Sequence, residues 1–562
     1  MKYLLFTIAI IILALSPKSF SQQEIGWQAE GAKGACAAGG APSVAAAMEI
    51  LKDGGNAFDS AAAMLLALTV TDYNNYCFGG EVPIIIYDAQ RQVTEVLAVQ
   101  GVAPRLATLE HFLNRPDHVI PKSGPQPASV PAVVDGVVTL LERYGTMTFA
   151  QVAQPTLRIL ANPPARRRQT GPQKWHKDLS RTLNRLIAAE KSAGGDRRTG
   201  VLAVSDYFYR GPIAREIDQW SRENGGLIRY TDLATHYTRI EAPVTIDYRG
   251  YTVAKCNTWT QGPSLLQMLN LLEGYDLKAL GHNSPDYIHV VTEAMKLSFA
   301  DRDEYYADPY FENVPLDALL SQEYTDIRRK LIDMKKAANT LQPGDPINMR
   351  PLLKKSTQGP FNAPEPAFDT TTGITADRWG NVVATTPSGW NRGPDAAQAL
   401  AGDTGVWLNS RLISLNTWPG HVNVIEPGKR PRITLTPSIV LKDGKPAFAV
   451  SICGGDSQDQ VTLQLLLNAI EFGMDPAAAV TAPMFNTDHL VGSFSQTEPK
   501  LASLNVKREI SDEIIKNLEA RGHLVRRTGY VATPSMMSFD PKTGLIKAAG
   551  DPKTGRFSDA WK

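Results

Sequence analysis

A proline-rich stretch, residues 343–366, limits what this chain of 562 residues can fold into more than any other feature. Its prolines are Pro343, Pro346, Pro351, Pro360, Pro364 and Pro366. Proline fixes φ and has no backbone N–H, so neither a helix nor a central strand can run through the stretch. We therefore predict an extended connector between two parts of the chain. It is either an ordinary surface loop or the place where the chain is prepared for cutting.

The part before the connector is rich in alanine and glycine. Residues 45–51 and 57–68 are predicted to form helices that pack through small side chains. Residues 81–87 form an apolar run that predicts a strand, with residues 93–99 as its hairpin partner. A further helix is expected to start at Ser284, because apolar residues then recur at helical spacing.

The part after the connector has a β pattern. Two strand pairs are predicted, 370–377 with 382–386 and 438–441 with 447–451. A helix is predicted from about residue 458 to residue 472. Strand pairs followed by helices favour sheets that are covered by helices, in an α+β or layered architecture.

The N-terminus has the pattern of a secretory signal peptide. Lys2 precedes a short apolar run, and Ser19-Phe20-Ser21 offers a cleavage site before Gln22. The run is shorter than the roughly 20 residues that a membrane-spanning helix needs. We therefore predict a signal peptide over residues 1–21, a periplasmic or secreted protein, and no membrane span in the mature chain. An uncleaved anchor is the alternative.

Charge and residue content exclude several function classes. The 58 basic and 57 acidic residues nearly balance, so neither nucleic acid nor an anionic membrane is an expected partner. The four cysteines are Cys36, Cys77, Cys256 and Cys453. They lack the spacing of a zinc site, and any disulfide pairing stays open. The histidines form no HExxH motif, and the serine-hydrolase elbow, phosphate loop and dinucleotide loop are missing. No metal and no organic cofactor are expected.

The first candidate for chemistry is Thr370, in Asp369-Thr370-Thr371-Thr372-Gly373 just after the connector. A threonine that is the first residue of a chain can use its own α-amine as the general base for its hydroxyl. This hypothesis requires cleavage of the Asp369–Thr370 bond, which the same hydroxyl could perform. The alternative is an ordinary strand of β-branched residues.

The second candidate is Cys453-Gly454-Gly455-Asp456, between a predicted strand and a predicted helix. Two glycines let the backbone approach a ligand closely, and N–H groups near a helix N-terminus could stabilise an oxyanion. Asp456 is placed to cap the helix. The alternative is a plain strand-to-helix turn, and Cys453 is a weaker candidate for a nucleophile.

Together these features resemble the γ-glutamyltransferase family, whose members are N-terminal-nucleophile hydrolases. The resemblance extends over nearly the whole mature chain. Its segments in the first part are Gly54-Gly55-Asn56-Ala57-Phe58-Asp59-Ser60-Ala61, Tyr209-Arg210-Gly211-Pro212-Ile213-Ala214, Asp247-Tyr248-Arg249-Gly250-Tyr251, Leu271-Leu272-Glu273-Gly274-Tyr275 and Phe299-Ala300-Asp301-Arg302. In the second part they are Asp369-Thr370-Thr371, Gly380-Asn381, Lys429-Arg430-Pro431 and Gly454-Gly455-Asp456.

The resemblance implies an α+β fold, a four-layer αββα sandwich made as one precursor. It implies autocleavage into a heavy part, residues 22–369, and a light part, residues 370–562, which stay partners. It implies Thr370 as the nucleophile and Gly454 and Gly455 as oxyanion donors. Ser388 falls where the family has a threonine that supports the nucleophile.

The departures from the family concern the substrate. Gln100 stands where the family holds the glutamyl α-carboxylate with an arginine, and Ile433-Thr434 replaces paired serines. The aspartate that takes the α-amine falls near Ser414, and the loop after it looks short for the family's lid. A zwitterionic head group needs paired charges when it is desolvated. The substrate-binding candidates are Gln100, Asn409, Arg411, Ser414 and Thr434, with Arg411 either holding a carboxylate or lying on the surface.

We therefore expect an exported, self-processing enzyme that cleaves a small amide or γ-glutamyl-like bond through a threonyl acyl-enzyme. Hydrolysis is favoured over transfer, because no acceptor site is visible. One alternative is a true γ-glutamyltransferase that hydrolyses glutathione, with charged residues supplied from elsewhere in the fold. The other is an uncleaved periplasmic binding protein.

Overall fold

A computed structural model describes residues 25–164, 171, 173–354, 359, 361, 370–389 and 396–562. The predicted signal peptide lies outside these residues, and so does Asp369 on the proposed cleavage bond. Within the proline-rich connector, residues 343–354, 359 and 361 are described, and the ring of Phe361 contacts Trp418 edge-on at 5.8 Å between centroids.

The described residues form three sheets. The strands are β1 (Gln28–Gly31), β2 (Gly34–Gly39), β3 (Ile84–Asp88), β4 (Val93–Ala98), β5 (Arg239–Glu241), β6 (Val244–Tyr248), β7 (Tyr251–Lys255), β8 (Gly373–Asp377), β9 (Val382–Thr385), β10 (Ser438–Lys442), β11 (Lys445–Cys453), β12 (Phe485–Asn486), β13 (Ser503–Lys507), β14 (Leu524–Thr528), β15 (Thr533–Phe539), β16 (Ile546–Gly550) and β17 (Arg556–Trp561). Sheet A is seven-stranded, in the order β17-β2-β8-β9-β3-β4-β5. Sheet B is also seven-stranded, in the order β1-β16-β15-β11-β10-β7-β6. A small third sheet has the order β12-β13-β14.

Helices cover the outer faces of the two large sheets. They are α1 (Ala41–Lys52), α2 (Ala57–Thr71), α3 (Leu109–Leu113), α4 (Val133–Tyr144), α5 (Phe149–Ala161), α6 (Lys174–Ser192), α7 (Arg197–Tyr209), α8 (Pro212–Glu223), α9 (Tyr230–Ala234), α10 (Pro263–Leu272), α11 (Leu277–Leu280), α12 (Pro285–Tyr305), α13 (Leu316–Leu319), α14 (Gln322–Arg329), α15 (Ser457–Ile470), α16 (Pro476–Thr481) and α17 (Asp512–Ala520). Short 3₁₀ turns lie at Ala396–Ala399, Gly402–Thr404 and Arg411–Ser414.

The layers follow from the two-residue period of the strands, which sends alternate side chains to opposite faces. In β3, Ile84 and Ile86 join the core beneath α2 and α4, whereas Ile85 joins the core between the two sheets. On sheet B, Val450 packs against α10, α12 and α15 while Ala449 faces sheet A. The order helix, sheet, sheet, helix is the αββα sandwich that the resemblance implied.

The local predictions hold in most places. The predicted early helices are α1 and α2, and both predicted hairpins of the second part form, as β8–β9 and β10–β11. Asp443 and Gly444 have φ of 51° and 73° at the second hairpin tip, the pair of positive values that a type I′ turn requires. Residues 370–372 precede β8 instead of belonging to it, and α6 and α7 lie in a part of the chain for which the sequence predicted no element.

Two expectations from composition can be compared with the structure. All four cysteines are buried, and none of them forms a disulfide with another. Within the described ranges, no helix combines the length and the apolar character needed to cross a bilayer.

Candidate active site

Thr370 lies just before β8 and is 1% exposed. The β8–β9 register pairs Gly373 with Thr385, and the Thr371 N–H continues it by donating to the Pro387 carbonyl at 2.9 Å. Extending this antiparallel register by one more residue places Ser388 opposite Thr370. The structure therefore brings together the predicted nucleophile and the predicted supporting hydroxyl.

Sheet B contacts sheet A at Gly373, three residues after Thr370. Gly373 donates its N–H to the Ser451 hydroxyl of β11 at 3.4 Å, and the Ser451 hydroxyl donates to the Thr385 carbonyl at 2.6 Å. From this contact the chain runs outward to Thr370 in one sheet, and from Ser451 towards Gly454 in the other. The glycine turn and the nucleophile thus lie at one end of the sandwich, with Thr370 just before β8 and Gly454 just after β11.

The glycine turn has a backbone that favours glycine. Gly454 and Gly455 have φ of 152° and 56°, which side-chain-bearing residues rarely adopt. Their carbonyls accept the N–H groups of Ser457 and Gln458 at 3.0 Å, which leads directly into α15. The helix therefore begins at the turn, with its positive N-terminal end beside the two glycines.

The prediction that Asp456 caps α15 with its side chain is wrong. Asp456 occupies the N-cap position, but its side chain makes no cap hydrogen bond. Its carboxylate instead accepts from the Ser493 N–H at 3.0 Å and pairs with buried Arg302. Arg302 lowers the pKa of the Asp456 carboxyl against the effect of burial, so Asp456 stays charged and ties the glycine turn to α12.

Arg411 lies in the site and contacts residues that the sequence did not indicate as its partners. It is 3% exposed, so the expectation of a surface position is wrong. Its Nε donates to Glu81 Oε1 at 2.7 Å, and its Nη2 donates to Ser388 Oγ at 2.8 Å. Burial raises the pKa of Glu81, while the charge of Arg411 acts in the opposite direction. Because Glu81 already compensates its charge, Arg411 is poorly suited to hold a substrate carboxylate.

Glu81 is the site residue that the sequence analysis missed. It is fully buried, and its backbone pairs with Ser388 in both directions at 2.9 Å. A carboxylate at the start of an otherwise apolar run was the available signal, because such groups are almost never buried without a partner.

The remaining substrate-binding candidates are buried in the described part of the chain. Asn409 accepts the Ser129 and Arg411 N–H groups and donates to the Gly79 carbonyl, so it fixes the loop that carries Arg411. The Ser414 carbonyl accepts from Asn423 at 2.7 Å. Thr434 is fully buried, and its backbone carbonyl accepts from the Gln458 side-chain amide nitrogen at 3.0 Å.

Gln100 lines a separate cavity at the edge of sheet A. Its Nε2 donates to the Pro431 carbonyl at 2.6 Å, and its Oε1 has no hydrogen-bond partner among the described residues. The cavity has a volume of about 110 Å³ and is also lined by Arg239 and Arg430. Arg430 pairs with Asp308 and Glu241, whereas Arg239 stacks on Tyr310 and pairs with no carboxylate in the described ranges.

A larger cavity lies on the loop that follows Arg411. It has a volume of about 480 Å³. Its lining combines apolar side chains, such as Ile413, Leu415 and Trp418, with the polar or charged side chains of Asp117, His118 and Lys122. The Arg411 guanidinium lies 5.5 Å from the Phe494 ring centroid, and Ser495, the next residue, lines the cavity and donates its N–H to the Ile413 carbonyl. The cavity thus borders the Arg411 network.

Among the described residues, one group has donor atoms close enough to suggest a metal. His289, Glu293 and His523 place theirs within 4.8 Å of one another, all buried. Glu293 is paired with Lys296 at 2.7 Å, and the two imidazoles contact each other at 2.9 Å. This group lies on α12 and beside β14, and it shares no contact with the residues around Thr370.

The comparisons with known proteins identify the family of the chain. The profile of the family described as gamma-glutamyltranspeptidase matches residues 43–163 and 165–561. The chain belongs to this family. It is therefore an enzyme of the N-terminal-nucleophile hydrolase superfamily, an amidohydrolase or acyltransferase, and the alternative of a binding protein finds no support.

Some of the similar proteins are named as glutathione hydrolases and others as acylases. The chain is 29% identical over 530 residues to the glutathione hydrolase proenzyme of Bacillus subtilis (strain 168), covering 90% of this chain and 87% of the relative. It is 30% identical over 548 residues to the acylase ACY 1 proenzyme of Pseudomonas sp. (strain SE83), with coverage of 90% and 89%. Among solved structures, LmbA2991HD has a TM-score of 0.84 at 31% identity, covering 95% of this chain and 99% of its own. The cephalosporin acylase from Bacillus halodurans has a TM-score of 0.78 at 25% identity, covering 98% and 99%.

Proposed function

We propose that this enzyme is a self-processing amide hydrolase with Thr370 as its nucleophile. The observation that carries the proposal is the meeting, at one end of the sandwich, of Thr370, Ser388 opposite it, and the Gly454-Gly455 turn at the start of α15. The relatives' description as proenzymes supports a precursor that is cut.

In the proposed processing step, Thr370 Oγ attacks the Asp369 carbonyl carbon. The C–N bond of the peptide breaks, the hydroxyl proton passes to the nitrogen, and an ester remains. Water then hydrolyses the ester, leaving a carboxylate on residue 369 and a free amine on Thr370. The products are a heavy part, residues 22–369, and a light part, residues 370–562.

In the proposed catalytic cycle, the new α-amine takes the Thr370 hydroxyl proton as Oγ attacks an amide carbonyl. The Gly454 and Gly455 N–H groups stabilise the oxyanion. The ammonium returns its proton to the leaving amine, and the C–N bond breaks to give a threonyl ester. Water attacks the ester carbonyl and gives a proton to the α-amine. The C–Oγ bond then breaks, the ammonium returns the proton to Thr370 Oγ, and a carboxylic acid is released with the enzyme restored. No step needs a metal or an organic cofactor.

For the substrate, we propose an amide whose acyl group lacks a zwitterionic glutamyl head. Gln100 offers no charge, and the charge of Arg411 is compensated by Glu81. In the cavity beside Arg411, the part of the lining formed by Ile413, Leu415 and Trp418 is apolar and suits an uncharged acyl group. The names of the acylase relatives are consistent with this choice.

Glutathione hydrolysis is the second candidate, favoured by one observation. Arg239 lines the same cavity as Gln100 and pairs with no described carboxylate, so it could hold an α-carboxylate. Release of nitroaniline from γ-glutamyl p-nitroanilide and from uncharged acyl p-nitroanilides, compared on one preparation, distinguishes the two candidates. A faster reaction with the γ-glutamyl substrate refutes our choice of acyl group.

We also propose that the enzyme is exported, on the strength of the N-terminal pattern. Mass spectrometry of protein purified from its source tests export and processing together. The expected masses are those of residues 22–369 and 370–562. A single species that contains residue 370 in an intact peptide bond contradicts the nucleophile, and a chain that retains residues 1–21 contradicts the cleaved signal.

A further inference from the structure

A buried guanidinium lies beside the proposed nucleophile. Arg411 Nη2 donates to Ser388 Oγ, and Ser388 stands opposite Thr370 in the strand register. We propose that Arg411 is a positioning residue, held by Glu81, that directs the Ser388 hydroxyl proton towards Thr370. The inference rests on the proposed function, because it assigns Arg411 a role in the chemistry of Thr370.

The direction of the proton follows from which groups can donate. A guanidinium carries only donors, so Ser388 Oγ must accept from Arg411. The Ser388 O–H therefore points away from Arg411, and its oxygen is polarised by a charged donor. Hydrogen bonds in such a chain strengthen one another. Ser388 is thus a stronger donor than an isolated serine.

A donor aimed at Thr370 Oγ acts at the moment of attack. Negative charge grows on Oγ as its proton moves to the acceptor nitrogen, and a preoriented O–H stabilises that charge. The same assistance applies to the processing step and to substrate turnover, because both begin with attack by the same oxygen.

Glu81 contacts both Arg411 and Ser388. Its carboxylate contacts Arg411 Nη2 at 2.6 Å and Nε at 2.7 Å, and neither side chain is more than 3% exposed. Its backbone N–H and carbonyl pair with Ser388 at 2.9 Å. Glu81 therefore aligns the guanidinium and the serine in one unit, and removal of its charge would leave Arg411 buried without its carboxylate partner.

Glu81, Arg411 and Ser388 come from both sides of the proposed cleavage bond between residues 369 and 370. Glu81 belongs to residues 22–369, whereas Ser388 and Arg411 belong to residues 370–562. Because the contacts are non-covalent, they can form in the precursor and persist in the processed enzyme.

The rate of precursor processing tests the inference without a known substrate. Full-length protein is made in a cell-free system, and the uncut fraction is followed on denaturing gels for wild type, Arg411→Met, Ser388→Ala and the double variant. Arg411→Met and Ser388→Ala should each slow processing at least tenfold. The double variant should be no slower than the slower single variant, because Arg411 acts only through Ser388. Effects that multiply would show a merely structural role and overturn the proposal.

A double variant that removes both Glu81 and Arg411 distinguishes loss of the fold from loss of positioning. Glu81→Leu/Arg411→Met leaves no unpaired buried charge and is expected to stay folded, yet to process as slowly as Arg411→Met. The matched control is Glu293→Gln/Lys296→Met, which removes a buried pair on α12 and should process at the wild-type rate.

The outcomes separate this inference from the proposed function. Wild-type protein that stays uncut refutes both. Wild-type protein that is cut, together with a folded Glu81→Leu/Arg411→Met variant that is cut equally fast, refutes the role of Arg411 alone.

Discussion

Replacing Gly454 with alanine is expected to displace the glycine turn. At its φ of 152°, a Cβ would lie 2.8 Å from Ala532 Cβ and 3.2 Å from Ala532 Cα. Backbone in a region reserved for glycine costs of order 1–3 kcal/mol. Overpacking a filled site costs about 1–3 kcal/mol more. Together these effects predict a loss of about 2–6 kcal/mol at one turn, enough to shift it.

The shift should appear as a loss of catalysis. If Gly454 donates its N–H to the oxyanion, moving the turn removes that hydrogen bond, and one such donor contributes about 10²–10³-fold in rate. Processing of Gly454→Ala precursor should therefore be slower by about 10²-fold. The time course of the uncut band gives the rate, and thermal unfolding of the same sample shows whether the variant is folded.

Gly444→Ala is the matched control for this substitution. Gly444 also has a positive φ, 73°, but its Cβ would meet nothing within 4 Å at the exposed hairpin tip. It should cost about 1–2 kcal/mol from the left-handed backbone and leave processing unchanged. A folded Gly454→Ala precursor that is cut as fast as wild type would refute the assignment of Gly454 as an oxyanion donor.

Three other predictions follow. Thr370→Ala should remain a single uncut chain on a denaturing gel and show no amidase activity in an anilide assay, whereas Thr370→Ser should be cut slowly and keep partial activity. Two fragments from Thr370→Ala would show that another residue is the nucleophile. Gln100→Arg alone should raise the rate of glutathione hydrolysis less than about tenfold, because one exposed ion pair contributes at most about 1 kcal/mol. A larger gain, measured by glutamate release, would contradict this prediction. Burial, with the charge of Arg432, lowers the pKa of His421 to about 4, below its ordinary 6.5. As pH falls from 6.5 towards 4, the unfolded chain takes up this proton and the native protein does not, so stability falls by about 2 kcal/mol by pH 5. His421→Gln should weaken this pH dependence of the melting temperature.

The elements of the fold were predictable where local pattern decides. The hairpin β10–β11 follows from Asp443-Gly444 between apolar runs, and α15 follows from its helical spacing. The nearly all-buried α12 shows the limit. Its apolar residues predicted one buried face, but it lies between other elements and also buries polar groups such as His289 and Glu293. Helical spacing describes one helix, whereas burial on all sides depends on elements distant in sequence.

The site was predictable as a set of residues but not as a network. Thr370, Ser388 and Gly454 were indicated by sequence, and strand register brings them to one end of the sandwich. The role of Arg411 was not predictable, because its partner Glu81 lies 330 positions away and meets it only in the folded chain. The capping role predicted for Asp456 failed for the same reason, since the competing Arg302 comes from α12.

The pairing of buried charges also limits which substrates the site can accept. Arg411 pairs with Glu81, and Arg302 pairs with Asp456 beside the glycine turn. An anionic head group could recruit Arg411 only by separating it from a fully buried carboxylate, and breaking such a pair costs about 3–5 kcal/mol. A partly exposed carboxylate contact returns at most about 1 kcal/mol. Recruitment is therefore unfavourable, and recognition of a carboxylate is expected from a cation without a carboxylate partner. Arg239 meets that condition among the described residues, but it lies at the edge of sheet A, beyond Gln100. This arrangement of charges favours substrates whose acyl group is uncharged where it contacts Thr370.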